Sequence, residues 1–376
     1  MNSKTKNRGY LPGLDGWRAI AITAVLLDHM QPVGPSWFQH HFKTQGISAV
    51  WLFFAISGLL ICSRLLEEES IYGRISLRNF YIRRSFRILP PAMTYLVAIA
   101  LLGWMHVMPF DRPSWVAAML FYRNYWNYFR GGISQSWFTG HFWSLSVEEH
   151  FYFLLPSIML FLPRVRGRVL IGLTVVSYVW MYLFLVHSGF SYQLRGGSLP
   201  LFWDQRTEFC LPGLLVGAFF ALWMSTRTVQ GGGLRYLSPW VLCAVVLGLT
   251  MVWGESPRVY LVILAARIVL NPLLLMSTIL HSGSLLTRFL ELPPLKFVGR
   301  ISYSVYLWQS LFLTRSTVYP GWIGRLQHPL IGAICTFVCA IASFYLIETP
   351  MIRLGRRFVT NRKKLDDPAE PNPLAA

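Results

Sequence analysis

Four ionisable residues crowd the first long apolar stretch of the chain: Asp15, Arg18, Asp28 and His29. A titratable side chain inside a hydrophobic span is costly, so each is a functional candidate by default. Arg18 and His29 are eleven residues apart. On an α-helix that is three turns plus about 20°, so both lie on one stripe, about 16 Å apart along the axis. Asp15 falls about 40° from His29, and Asp28 about 100° away. One helix thereby presents a carboxylate, a guanidinium and an imidazole to a common cavity. An imidazole titrates near neutral pH and suits proton abstraction from a hydroxyl. The plainer reading of His29 taken alone is a satisfied interfacial histidine.

Further groups follow at intervals. Ser57-Gly58 is a small pair in the bulky run Trp51 to Ile61. It serves either close helix approach or a hydroxyl facing a substrate tunnel. Arg83, Arg84 and Arg87 precede Leu89-Pro90-Pro91. Arg84 and Arg87 are i,i+3 neighbours on a helix, and arginine forks take phosphate oxygens in bidentate fashion. Topology signalling or contact with anionic lipid is the competing reading. The segment Trp143 to Tyr152 brings Glu148, Glu149 and His150 to the start of an apolar helix. Adjacent positions point in different directions, so one of the two carboxylates, Glu148, is expected in the cavity with His29. Tyr303 and Tyr306 need partners inside a helix bundle, and Glu348 closes the last apolar run, where an arginine such as Arg84 or Arg87 is a fitting partner.

These residues must be positioned by membrane helices. Of 376 residues, 54% are hydrophobic and 13% charged, against roughly 25% charge in a soluble domain. The apolar blocks are about 17–25 residues long, the length a helix needs to cross the hydrocarbon core, and they are too continuous for barrel strands. The expected fold is all-α and integral to the membrane, with about ten transmembrane helices near 14–32, 46–65, 89–108, 143–163, 168–187, 206–226, 236–254, 257–280, 298–316 and 326–347. The first is read as a retained helix, not a signal peptide. Most of the 34 Lys and Arg fall in loops on the side of the N-terminus, which by the positive-inside rule puts both termini in the cytoplasm. The net charge of +18 then needs no nucleic-acid partner; the bilayer is the partner. The five cysteines lie in apolar segments without paired or metal-like spacing. No internal repeat of the kind common in secondary transporters is visible. The inner segment 64–88 reads as a loop with six arginines and the triple acid Glu67-Glu68-Glu69. The outer segment 109–142 is rich in aromatics, either an interfacial belt or a platform for a cyclic acceptor.

Taken in order, the segments resemble the acyltransferase-3 family of bacterial membrane O-acyltransferases. The resemblance rests on Leu14 to Ala19 followed by His29 (Arg, ten residues, His), Phe53 to Ile61, Arg84-Ser85-Phe86-Arg87 with Leu89-Pro90-Pro91, Trp143 to Tyr152, Gly299 to Trp308, and Glu348 with Pro350. It covers residues 11–350. It implies a ten-helix fold in the bacterial inner membrane that takes acyl-CoA, usually acetyl-CoA, from the cytoplasm and passes the acyl group to a hydroxyl of a glycan or small molecule, with no metal. His29 would be the catalytic histidine, supported by Arg18 with Asp15, Glu148 and Tyr303 beside it. Arg84 and Arg87 would hold CoA, with Arg83, Ser57 and Glu348 in the same binding region. Gln309 stands where many members carry histidine. The expected organisation is a basic tail over 1–13, a membrane domain over 14–350 and a basic, then disordered, tail over 351–376, in the stand-alone form without a fused esterase-like domain.

The chemistry so implied is attack of an acceptor hydroxyl on the thioester. His29 would take the proton, and Arg18 or a tyrosine would stabilise the oxyanion. A variant has His29 carry the acyl group covalently. A transporter using His29 and Arg18 as a proton relay, and a membrane sensor without chemistry, are the alternatives.

Overall fold

Long apolar runs with every backbone donor satisfied internally dictate helices, and the computed structural model of the chain is helical throughout. It describes residues 10–30, 45–130, 137–195, 205–225, 237–251, 257–313 and 322–359, with no strand among them. The expectations for residues 1–9 and for the tail beyond 359 lie outside the described residues. The helices are α1 (Leu14–His29), α2 (Gln45–Tyr72), α3 (Leu77–Trp104), α4 (Arg112–Met119), α5 (Arg123–Arg130), α6 (Trp137–Gly140), α7 (Phe142–Phe161) and α8 (Arg166–Arg195). They continue with α9 (Thr207–Ser225), α10 (Pro239–Met251), α11 (Pro257–Leu280), α12 (Leu285–Leu290), α13 (Pro293–Phe312), α14 (Trp322–Leu326) and α15 (Pro329–Ser343). A π-helical turn, Phe344–Glu348, joins α15 to α16 (Thr349–Phe358).

Among the described residues, six helical segments are long and apolar enough to cross a membrane: Gln45–Tyr72, Leu77–Trp104, Arg166–His187, Thr207–Ser225, Val259–Leu280 and Pro329–Phe358. The chain is a multi-pass membrane protein. The other four expected spans coincide with α1, α7, α10 and α13, which are helical but shorter or more polar. The polarity has a cause: α1, α7 and α13 spend positions on side chains that line an internal cavity.

Helix packing is tight where glycine removes a side chain. A Cβ on Gly58 of α2 would lie 2.0 Å from the Leu214 carbonyl oxygen of α9, and one on Gly217 would lie 2.5 Å from that of Ala55. A Cβ on Gly299 of α13 would meet the Asp15 carbonyl oxygen of α1 at 1.8 Å. These approaches set α2 against α9 and α1 against α13.

Segment 64–88 is not a loop. α2 and α3 run through almost all of it and are separated by a short turn at 73–76, where Ser76 caps α3 by accepting from the Asn79 amide at 3.3 Å. The triple acid explains this, because each carboxylate takes one arginine: Glu67 binds Arg64 at 2.9 Å, Glu68 binds Arg83, and Glu69 holds Arg166 of α8 through two bonds of 2.8 and 3.1 Å. At the start of α1, Gly13 adopts φ 79°, a left-handed conformation that suits glycine. Its amide donates to Glu291 at 2.6 Å, and Tyr10 and Lys296 donate to the same carboxylate. Burial pushes the Glu291 carboxyl up, but these three donors outweigh it and hold the group below its ordinary value.

Candidate active site

A cavity, open at its mouth, lies among α1, α2, α3, α7 and α13. Arg18, Arg84 and Arg87 line it together with Glu148, Glu149, Ser57, Tyr152, Tyr303 and Tyr306. Three guanidinium groups and two carboxylates therefore converge in a site walled by low-dielectric protein, where charges act more strongly than in water.

Glu148 is the best-held carboxylate. Ser57 donates to it at 3.2 Å and the Tyr152 hydroxyl donates to its other oxygen. The Arg84 guanidinium lies 4.3 Å over the Tyr152 ring, a cation–π contact that fixes its direction. In the Ser57-Gly58 pair, Gly58 makes the helix contact and Ser57 lines the cavity. The expectation that only one of Glu148 and Glu149 could do so is corrected. The lining of α7 includes Ser144, Leu145, Glu148, Glu149 and Tyr152, a stripe broad enough to hold adjacent residues.

The other expected site residues are distributed around this cavity. Asp15 lies 3.7 Å from Arg18 and 3.8 Å from Arg300, in the first turn of α1. Glu348, 1% exposed, ends the π-turn and accepts from Ser304 at 2.9 Å, with the charge of Arg87 within electrostatic reach. Arg83 is not in the cavity; Glu68 claims it at the protein's rim. Tyr303 donates its single phenolic proton to the Ile88 carbonyl at 2.7 Å, tying α13 to α3 and leaving no proton for an oxyanion.

His29 does not line the cavity. It closes α1, its Nδ1 lies 2.8 Å from the Val25 carbonyl oxygen, and its ring meets Trp137 edge-on at 5.4 Å. A carbonyl only accepts, so Nδ1 carries the proton and the basic lone pair of the neutral ring is on Nε2. Helical side chains lean toward the N-terminus, so Arg18 reaches away from His29 and the two do not converge on one atom. Asp28 is buried against Gly46 of α2, off the stripe as expected.

Between His29 and the cavity stands a residue that sequence reasoning missed. His141 is 6% exposed, at the start of α7. Its ring contacts Tyr95 at 5.3 Å and Tyr306 at 5.5 Å, and the charges that reach it come from His29 and Arg123. Tyr306 donates to its backbone carbonyl at 3.0 Å and bonds Ser144 at 2.7 Å. The only sequence signal was its place two residues ahead of the Trp143 to Tyr152 segment. The outer aromatics pack inward more than they form a platform. Trp115 donates to the Leu96 carbonyl, Trp126 to Ser114 and Tyr125 to Glu208, while the Tyr128 side chain lies outside the described residues.

The chain is similar to the protein named "Putative O-acetyltransferase SACOL0978" of Staphylococcus aureus (strain COL), 29% identical over 94% of this chain and 59% of that protein. It is 27% identical to the peptidoglycan O-acetyltransferase OatA of Listeria monocytogenes, over 93% of this chain and 57% of the relative. It is 28% identical to the O-acetyltransferase OatA of Staphylococcus aureus (strain NCTC 8325 / PS 47), over 92% and 58%. The chain thus spans less than two thirds of the length of these curated relatives. No solved structure matches it. The profile of the acyltransferase domain family matches residues 11–349, nearly the whole chain, and the chain belongs to the acyltransferase-3 family.

Proposed function

We propose that the protein transfers an acetyl group from cytoplasmic acetyl-CoA, or another acyl-CoA, to a hydroxyl of a carbohydrate or other acceptor, in the bacterial inner membrane with ten spans and both termini inside. The observation that carries the reading is the charged cavity among α1, α2, α3, α7 and α13, on the same helix stripe that ends in His29. Arg84, Arg87 and Arg18 meet the negative charge of the donor, and the acyl-bearing arm extends along α1 toward its outer end. There the acceptor oxygen attacks the thioester carbon. The new C–O bond forms, the C–S bond breaks, the hydroxyl proton passes to His29 Nε2, and from there it reaches the departing thiolate. The donor charge at Arg18 and the proton transfer at His29 are separate tasks, about 16 Å apart on one helix. The names of the relatives make a cell-wall glycan the first acceptor to try.

The test is direct. Membranes holding wild type or His29→Ala receive labelled acetyl-CoA, and label is sought in glycan, lipid and small-molecule fractions. Removing a positioned general base lowers rate by about 10²–10⁴-fold, so label should fall at least a hundredfold with insertion unchanged. Equal labelling removes His29 from the mechanism; transport that needs a proton gradient and no CoA replaces the enzyme reading.

A further inference from the structure

Polar side chains sealed inside protein without a partner are rare, because each forfeits its hydrogen bonds with water. Two lie just beyond the outer end of the cavity, on two different helices. Neither ring nitrogen of His141 has a hydrogen-bond partner among the described residues. Gln309 of α13 is fully buried at 0% exposure, and both its amide oxygen and its amide nitrogen are without a partner there. Position supports pairing them in function. His141 lies one turn before Ser144 and two before Glu148, both of which line the cavity; Gln309 lies one turn after Tyr306 and two after Ser302, which line it too. α7 runs inward from His141 and α13 runs outward to Gln309, so each extends its lining stripe by one turn toward the level where α1 ends in His29. Trp137, edge-on to the His29 ring, adds an indole N–H without a partner among the described residues.

The chemistry of this layer identifies its ligand. A thioester oxygen or a phosphate only accepts hydrogen bonds, and an ammonium only donates. A neutral imidazole and a carboxamide each offer one group that donates and one that accepts, which matches a hydroxyl, itself donor and acceptor. We propose that His141 and Gln309 form a buried subsite that binds the hydroxyl-bearing acceptor, a sugar or other polyol, beside His29 and separate from the charged cavity. The subsite rests on the transferase reading above, because it supplies the hydroxyl whose oxygen forms the new ester bond and whose proton goes to His29. It also gives a role to an unpaired amide in the last turn of α13, which stability alone does not favour.

The test uses the full chain in host membranes that contain its native acceptor, with labelled acetyl-CoA as probe, and compares wild type with Gln309→Leu, His141→Phe and His141→Gln. Replacing an unpartnered buried amide by a similar apolar side chain costs the fold nothing, so Gln309→Leu should melt at or above the wild-type temperature in detergent. Its transfer rate, and that of His141→Phe, should fall at least about tenfold, as expected for lost hydrogen bonds to substrate, with the KM for acetyl-CoA within twofold. His141→Gln, which keeps a donor and an acceptor, should recover part of the loss. Transfer within twofold of wild type in both apolar variants overturns the subsite, as does a loss accompanied by lower melting temperature or by a raised KM for acetyl-CoA. Wild type without any label overturns the transferase reading instead, so the two failures are told apart.

Discussion

Arg84 and Arg87 line the cavity, and no salt bridge joins either to a carboxylate among the described residues. Arg64, Arg83 and Arg166 are each matched by a member of the triple acid, so their charge is spent within the protein. In the cavity a phosphate-bearing donor is a fitting counter-charge for both Arg84 and Arg87. The double variant Arg84→Ala, Arg87→Ala should therefore raise the KM for acetyl-CoA at least about tenfold, since each charge-assisted bond contributes about 1.5–3 kcal/mol. Arg64→Ala, which loses only an exposed pair with Glu67, should leave it within twofold. Steady-state kinetics at varied donor concentration decide this, and an unchanged KM in the double variant returns both residues to topology signalling. At this scale the sequence displayed residue type well and partner poorly. Arg83 and Arg84 are neighbours of identical chemistry, and only the fold shows that Glu68 takes one while Tyr152 and the cavity take the other. His141 carried no spacing that marked it, because its significance lies in being buried among rings contributed by α3, α7 and α13.

The helices themselves were legible because hydrocarbon leaves no alternative to them, and among the described residues each of the ten expected segments is largely helical. The exceptions were the outer loop 109–142, which holds α4, α5 and α6, and segment 64–88, where high charge reads as loop. Its charges are paired across α2, α3 and α8, so the helices continue past the apolar run. Close crossings were half legible. Ser57-Gly58 signalled a small-residue contact, but not that α9 would return the contact with Gly217 against Ala55. A methyl group at Gly58 has no room, since it would meet the Leu214 carbonyl at 2.0 Å. Gly58→Ala should then push α2 and α9 apart at a cost of about 1–3 kcal/mol, the usual range for overpacking. Gly172→Ala on α8 is the matched control. Nothing lies within 4 Å of its added methyl, and alanine favours a helix interior over glycine by about 1 kcal/mol. Thermal unfolding in detergent should show a lower midpoint for the first and an equal or higher one for the second. Equal midpoints would mean that the α2–α9 crossing adjusts without cost. Because α2 carries Ser57 to Glu148, activity in Gly58→Ala should fall along with stability.

Across the whole molecule, the polar residues form two levels joined by three helices. The inner level holds Arg18, Arg84, Arg87 and the two glutamates; the outer holds His29, His141 and Gln309. α1 and α7 contribute to both, and α13 adds Tyr303 to the cavity lining and Gln309 to the outer level, so the two levels are linked by helices and not by loops. This arrangement has a direction, and the direction is testable with acetyl-CoA, which is too charged to cross a bilayer unaided. On the proposed topology the arginine level faces the cytoplasm. Inverted membrane vesicles, with that face outward, should transfer label from added acetyl-CoA. Right-side-out vesicles from the same cells should do so only after permeabilisation, with a difference of at least tenfold before it. The comparison tests polarity independently of acceptor identity, because the native acceptor is present in both preparations. Equal labelling of intact vesicles of either orientation would mean that the donor reaches the cavity from both sides. A preference for right-side-out vesicles would invert the assignment of termini and place the arginine level outside. Labelling confined to inverted vesicles, and lost in Arg84→Ala, Arg87→Ala, would tie the charged cavity to the cytoplasmic donor. It would also leave the His29 end of α1 as the place where the acyl group meets its acceptor.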